Sequence, residues 1–529
     1  MPTLRINQKQ VTVPEGTTIL TAAQQVGIHV PTLCFLNGYQ PFTSCMICVV
    51  EEQASGRLLP ACSALAQEGM VIQTENEQVF EYRKQALELL LSEHLGDCEA
   101  PCQRTCPANM NIPLMLRQIA ANQLEEALIT VKKDIALPAV LGRICPAPCE
   151  KGCRRSQYDA AVSICLLKAY VADVDLAQPK PYLPPTLPAT GKKIAIVGAG
   201  PTGLAAAYYL LPFGHECTIF DQQASAGGNL RTAIPAERLP REILEAEIEI
   251  IRQLGAEFKM GVRVGADVTL TELQTEFDAV ILACGQLARE RLQELELQLS
   301  KQGVAVNPKT FETSTSGIFA GGAVIKPIKM AVQAVAQGKA LAQAINQFLT
   351  NQPLVGAPAK KFNSQLGKLP PEEIPELLKE SVTNHRQTPA AGNIKGFTLN
   401  EAVTEAQRCL HCDCRKPVSC KLRHYAQQYQ ARPQPYKSSS RHRFIKVLQH
   451  ADIIYEPGKC IKCGLCVQIT EKADEKLGLT FIGRGFNVRI GVPFNDSLAR
   501  GLEQVAAECV RHCPTGALAW RHQEETLPQ

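Results

Sequence analysis

Twenty-two cysteines in a chain of 529 residues constrain the fold more than any other feature, because twenty of them fall into five tight sets. Such short spacings suit thiolates converging on metal better than disulfides, which a reducing cytosol would not maintain. The first set, Cys34, Cys45, Cys48 and Cys62, reads C-x10-C-x2-C-x13-C. Cys98, Cys102 and Cys106 follow, with His94 ahead of them, and then Cys145, Cys149 and Cys153 with Cys165 further on. A fourth set comprises Cys409, Cys412, Cys414 and Cys420, and a fifth Cys460, Cys463 and Cys466 with Cys509 and Cys513. Iron–sulfur clusters and zinc both accept such ligands. Cys217 and Cys284 stand alone in apolar, strand-like runs and read as small buried hydrophobes.

Length predicts three to five domains at about 150 residues each. Hydrophobic residues at 45% and charged residues at 20% can build ordinary cores. A net charge of +4 without any block of like charges leaves no nucleic-acid footprint, so the stretch Arg441-His442-Arg443 reads as a solvated loop. No basic-then-apolar leader opens the chain, and no run approaches a membrane span of about 18 apolar residues. The expectation is a cytoplasmic protein with no direct membrane insertion. No acid–base or nucleophile constellation stands out, so catalytic residues stay unassigned.

Residues 1–80 begin with β-type runs, Leu4-Arg5-Ile6 and Val11-Thr12-Val13, and a helix near Thr17. The run from Val13 to Leu20, then Gly27 to Cys34, resembles the [2Fe–2S] domain of the complex I large iron–sulfur subunit and of iron-only hydrogenases. That resemblance implies a β-grasp fold with the cluster on Cys34, Cys45, Cys48 and Cys62. It departs at Thr43 and Met46, where Gly and Arg are usual.

From Glu81 to about Glu93 a helical pattern shows Ala86, Leu87, Leu89, Leu90 and Leu91 on one apolar face. His94-x3-Cys98 is similar to the complex I subunit at a histidine-ligated [4Fe–4S] site. Ala100-Pro-Cys102-Gln-Arg-Thr-Cys106-Pro instead resembles the helical domain of the glutamate synthase small subunit and of dihydropyrimidine dehydrogenase. The resemblance implies an α-helical double [4Fe–4S] domain over 81–176, with a further helical stretch from Ile112 to Lys133. One cluster takes His94, Cys98, Cys102 and Cys106. The other takes Cys145, Cys149 and Cys153, and in relatives a Gln or Glu aligned with Lys168. An ammonium has no lone pair, so Cys165 is the candidate fourth ligand, the alternative being a buried helix cysteine.

A proline-rich linker, Gln178 to Pro188, precedes the nucleotide signal. Lys193-Ile-Ala-Ile-Val-Gly198-Ala-Gly200-Pro-Thr-Gly203 reads strand, glycine turn, helix, and Asp221 ends the next strand. The glycines admit pyrophosphate and close helix packing, and the acid holds a ribose hydroxyl. Gly227-Gly228, Asp278 to Gly285 and Ser316 to Gly322 resemble flavin-binding segments of the glutamate synthase small subunit. FAD is therefore expected over 190–350, on Gly198, Gly200, Gly203, Asp221, Gly228, Gly285, Gly321 and Gly322. Ala323 departs from the usual Asp. Relatives insert a second dinucleotide domain of about a hundred residues between the segments at Gly285 and Gly317. Here 31 residues separate those glycines, so NAD(P)H is expected to act only through a partner subunit.

Residues 351–395 read as a proline-containing linker and 396–445 as a four-cysteine iron–sulfur segment, C-x2-C-x-C-x5-C. In 446–529 a ferredoxin-like pattern keeps Cys460, Cys463 and Cys466 but has Thr470 where the fourth cysteine would stand. The crossover rule of two-cluster ferredoxins then assigns Cys513 to that cluster and leaves Cys509 without iron. The fold class is multidomain α/β and α+β: a β-grasp [2Fe–2S] domain, a helical double-cluster domain, a Rossmann-like FAD domain lacking its NAD(P) insertion, and a ferredoxin-like tail. The hybrid resembles an electron-input subunit of a hydrogenase, formate dehydrogenase or NADH dehydrogenase assembly. That implies one [2Fe–2S] cluster, about four [4Fe–4S] clusters and one FAD, with other oxidoreductase subunits or a ferredoxin as partners. A glutamate-synthase-type flavoprotein oxidising NADPH and a non-catalytic zinc scaffold are the alternatives.

Overall fold

The computed structural model describes residues 1–358, 361–436 and 441–521. Compact contacts divide the chain into two units. One comprises Met1–Glu99, Lys361–Glu380 and Cys412–Gln529; the other comprises Ala100–Lys360 and Ser381–His411.

The first unit opens with strands β1 (Thr3–Ile6), β2 (Lys9–Thr12), β3 (Val49–Glu52), β4 (Arg57–Pro60) and β5 (Val71–Gln73). Their order is β2-β1-β5-β3-β4, with β5 parallel to β1 and the other pairs antiparallel. Leu4, Ile6 and Val11 alternate inward, as a half-buried sheet requires. Thr18 caps the helix Ile19–Gln25, which lays Ile19, Leu20, Ala22 and Ala23 on the sheet. Cys48 and Cys62 belong to this same core, so the loops bearing them are anchored to the β-grasp sheet.

Asn76 caps the helix Glu77–Ser92, whose buried row is Val79, Arg83, Leu87 and Leu91, spaced one turn apart. This face is narrower than the sequence pattern predicts, since Leu89 is 54% exposed. Arg83 occupies the row because its head is fully used: it donates to the Val49 carbonyl at 2.8 Å and to the Tyr429 hydroxyl at 3.0 Å. Further along, Ile453–Tyr455 pairs antiparallel with Leu518–Trp520, and Thr480–Ile482 with Arg489–Gly491. Helices Leu465–Lys472 and Ala506–His512 join these strands in one core around Ile469, Ile490 and Leu518. The stretch expected as linker contributes Lys361–Glu380 to this unit.

In the second unit the helical stretch expected from Ile112 to Lys133 is two helices, Ile112–Ala120 and Leu124–Lys132, because Asn122 adopts a left-handed φ of 58° between them. Helices Pro138–Ile144 and Ile164–Leu176 complete this layer. Strands β6 (Lys193–Val197), β7 (Glu216–Asp221), β8 (Glu257–Met260), β9 (Ala279–Leu282) and β10 (Ile318–Ala320) form an all-parallel sheet in the order β10-β9-β6-β7-β8. Ile194 to Val197 are apolar without alternation because helices cover both faces. Glu247, on the helix Arg241–Gln253, ties the layers together by accepting the Ala139 and Val140 amides at 2.7 and 3.0 Å. Burial pushes its carboxyl up to about 7, against the pull of those two bonds. Among the described residues, no helix is long and apolar enough to cross a membrane.

Candidate metal centres and nucleotide cleft

Cys34, Cys45, Cys48 and Cys62 are buried together. Hydrogen bonds from Cys45 and Cys62 hold the Cys34 thiol far below its usual range, and those same bonds raise the two donors. The surrounding loop takes left-handed conformations at Thr43 (φ 53°) and Met46 (φ 56°). A side chain strains that backbone and glycine does not, which accounts for the glycine expected there but not for the arginine.

Cys460, Cys463, Cys466 and Cys513 line one small cavity. Burial, then the neighbouring Cys513, pushes the Cys460 thiol up to about 11. Cys509 does not line that cavity; it is 1% exposed, in the apolar core. Thr470 donates to the Val467 carbonyl at 2.9 Å and accepts the Leu479 amide at 3.0 Å, so its hydroxyl is committed to packing. Cys509→Ser should therefore leave the iron content intact and cost at most about 1 kcal/mol. Cys513→Ser should convert or remove the terminal cluster. Equal changes in low-temperature paramagnetic resonance spectra for the two variants would contradict this assignment.

The structure sorts the middle cysteines differently from their order in sequence. Cys98 and Cys102 lie in different units, as do Cys409 and Cys412. Within the first unit Cys98, Cys414 and Cys420 gather: the Cys414 amide donates to the Cys98 carbonyl at 3.3 Å, and charge at Cys414 and Cys98 adds to burial in pushing Cys420 up to about 12. A Cβ on Gly516 would sit 2.4 Å from the Cys414 sulfur, so that glycine makes room for it. His94 belongs to the same locality, since Lys459 acts on it as on Cys98 and Cys414. Its Nδ1 is buried without a hydrogen-bond partner, and burial, then Lys459, drives its pKa down to about 4. A neutral imidazole with an orphaned nitrogen has the donor chemistry of a metal ligand. Cys34 acts on Cys463, and Cys513 on Cys420, so the three ligand sets of this unit adjoin one another.

In the second unit Cys106, Cys145, Cys149 and Cys165 lie near enough to Lys168 to act electrostatically on its ammonium. Cys165 bonds to Cys145, which lowers its thiol; a bond to Cys149 and burial outweigh this and hold it at about 12. Cys102 lies on the helix Pro101–Thr105, which packs against Pro148–Lys151 so closely that a Cβ on Gly152 would strike the Thr105 hydroxyl at 2.5 Å. Cys153 follows that glycine. Two residues on, Arg155 donates to the Arg408 carbonyl at 2.6 Å, beside Cys409. Cys412 opens the last segment of the other unit. Thiols raised this far are protonated until metal displaces the proton. Among the described residues, no three His, Cys, Asp or Glu side chains close around a single ion.

Lys459 and Glu456, both buried and paired, escaped the sequence reading. A lysine directly before Cys460 was the available signal, but only the fold places it beside His94 and Cys414.

Gly198 turns with φ 115°, and a Cβ there would lie 2.4 Å from the Ala283 carbonyl; at Gly200 nothing stands within 4 Å, which leaves the backbone open to a phosphate. Asp221 accepts the Ala199 and Gln223 amides at 2.7 and 2.8 Å. Gly228 backs onto Gly200, and Gly321 and Gly322 abut Leu341 and Thr202, while Gly285 faces open space. Gly198, Asp221, Arg263, Cys284 and Arg291 line a cleft of about 620 Å³ counted to its mouth. The segment between Gly285 and Gly317 forms a short helix, Arg289–Gln293. Its neighbours Leu292, Leu297 and Val304 are buried on the sheet, and Leu287, Arg291 and Leu295 wall the cleft.

Residues 1–77 match the family model of the 2Fe-2S iron-sulfur cluster binding domain, and residues 77–180 that of dihydropyrimidine dehydrogenase domain II, a 4Fe-4S cluster domain. Residues 165–338 match pyridine nucleotide-disulphide oxidoreductase. The chain is an iron–sulfur flavoprotein of the oxidoreductase class, with binding domains for [2Fe–2S], [4Fe–4S] and FAD. It is 41% identical to the NADP(+)-dependent formate dehydrogenase subunit beta of Moorella thermoacetica, over 36% of this chain and 30% of that one. The NADPH-Fe(3+) oxidoreductase subunit beta of Geobacter sulfurreducens is also 41% identical, over 35% of this chain and 28% of its own length. The NAD-dependent dihydropyrimidine dehydrogenase subunit PreT of Salmonella typhimurium is 35% identical, over 40% and 51%. The chain thus spans about half or less of each relative's length.

Proposed function

We propose that the chain is the electron-transfer subunit of a larger cytoplasmic oxidoreductase, passing electrons between one FAD and a series of iron–sulfur clusters and exchanging them with a partner subunit or a ferredoxin. The observation that carries this reading is a nucleotide cleft walled by the segment where relatives insert a second dinucleotide domain, in a chain whose thiols gather into discrete sets. Cys34, Cys45, Cys48 and Cys62 hold the [2Fe–2S] cluster. The [4Fe–4S] sets are His94, Cys98, Cys414 and Cys420; Cys106, Cys145, Cys149 and Cys165; and Cys460, Cys463, Cys466 and Cys513. Cys102, Cys153 and Cys409, all of the second unit, serve the remaining cluster. When bound, these groups supply all the redox chemistry, and the protein sets position and potential.

Relatives named as subunits of formate dehydrogenase and NADPH-Fe(3+) oxidoreductase support a place in a multi-subunit assembly. Twenty-two free thiols favour a reducing compartment. Anaerobically purified chain should contain about 18 irons, from four cubes and one [2Fe–2S] pair, and one FAD. Stoichiometric zinc with little iron would instead establish the scaffold reading.

A further inference from the structure

We infer that Lys168 is the counter-ion of the cluster held by Cys106, Cys145, Cys149 and Cys165, and that its positive charge favours the reduced form of that cluster. The inference rests on the ligand set proposed above. Lys168 stands three residues beyond Cys165 on the helix Ile164–Leu176, so both side chains lie on one face. It is 4% exposed, and all four thiols act electrostatically on its ammonium. Of the other four buried lysines, three meet a carboxylate, Lys132 with Asp175 at 2.8 Å, Lys446 with Glu380 at 3.0 Å and Lys459 with Glu456, and the fourth, Lys416, donates to the Val510 and Cys513 carbonyls at 2.8 and 2.9 Å. Among the described residues, Lys168 pairs with no carboxylate.

A buried ammonium without an anion is strongly disfavoured, since burial removes its hydration and returns nothing. Four thiolates around a [4Fe–4S] core carry a net double negative charge, and one more when the core takes up an electron. The ammonium is therefore neutralised by the cluster, and attracts its reduced form more than its oxidised form. Close packing keeps that charge in place. A Cβ on Gly142 would lie 2.5 Å from the Ala169 Cβ, so the helix leading to Cys145 presses directly beside Lys168.

The test is a dithionite titration of the full chain, followed by low-temperature paramagnetic resonance, with the signal identified by its loss in Cys165→Ala. Lys168→Met should keep its iron, and at the wild-type midpoint the ratio of reduced to oxidised cluster should fall about tenfold, equivalent to about 59 mV for one electron. Lys168→Arg should restore the ratio. An unchanged midpoint in the iron-replete Met variant would overturn the inference. If Lys168→Met loses the cluster, retention in Lys168→Arg supports a charge role, whereas loss in both variants points to shape and overturns it. Failure of Cys165→Ala to remove any wild-type signal would instead refute the ligand set, and is seen before any Lys168 variant is made.

Discussion

Changing Cys98, Cys414 or Cys420 to alanine, one at a time, should abolish one and the same cluster signal, and changing Cys102 should abolish a different one. Each variant should lose between about one and about four of the roughly 18 irons, because a cube missing one protein ligand sheds that iron or is lost whole. Cys98 and Cys102 are four residues apart, yet they fall in different compact units, whereas Cys98 and Cys414 are joined by a 3.3 Å backbone hydrogen bond across more than three hundred residues of sequence. On the proposed grouping, the segments His94-x3-Cys98 and Cys414-x5-Cys420 are the two halves of one ligand set, separated in sequence by most of the second unit. His94→Ala should join the first group, since its buried Nδ1 has no other partner. If Cys98→Ala and Cys102→Ala removed the same resonance while Cys414→Ala left it untouched, grouping by sequence proximity would be correct and the regrouping would fail.

Reduction of the flavin by NADH or NADPH should be at least about a thousandfold slower in the isolated chain than in a flavoprotein that binds the nicotinamide beside its flavin. Hydride transfer requires the two rings held about 3–3.5 Å apart, and such positioning is worth effective molarities of about 10⁵ M or more. In this chain the segment between Gly285 and Gly317 is spent on the cleft wall, with Leu292, Leu297 and Val304 packed on the sheet. Dithionite, which needs no binding site, should bleach the flavin normally. Stopped-flow absorbance near the flavin maximum distinguishes the cases. Rapid bleaching by either nucleotide would show that a nicotinamide site exists in the chain, and would restore the NADPH-oxidising alternative.

Local motifs carry their meaning in the sequence, whereas the gathering of distant thiols depends on the fold, for a physical reason. The glycine turn at Gly198, the alternation of Leu4 and Ile6, and the unbroken apolar run from Ile194 to Val197 are patterns whose meaning lies within a few residues. Backbone sterics and side-chain periodicity operate at that range, so sheet type and nucleotide turn could be derived from sequence. Helix extents fared less well. Arg83 joins the buried row while Leu89 of the expected face is exposed, and Asn122 broke a helix that periodicity continued; each depends on what packs opposite or on a single left-handed residue.

By itself, the sequence determined the chemistry: which thiols could bind iron, which turn could receive a phosphate, and that Thr470 left one run short of a ligand. Which thiols share a metal was decided by tertiary structure. A cluster requires its ligands within a few ångströms and is indifferent to their separation along the chain. Cys98, Cys414 and Cys420 become neighbours because the segments bearing them fold into one compact unit, and Cys106 joins Cys145, Cys149 and Cys165 in acting on Lys168 because helices of the other unit bring them near it. No local spacing encodes either event.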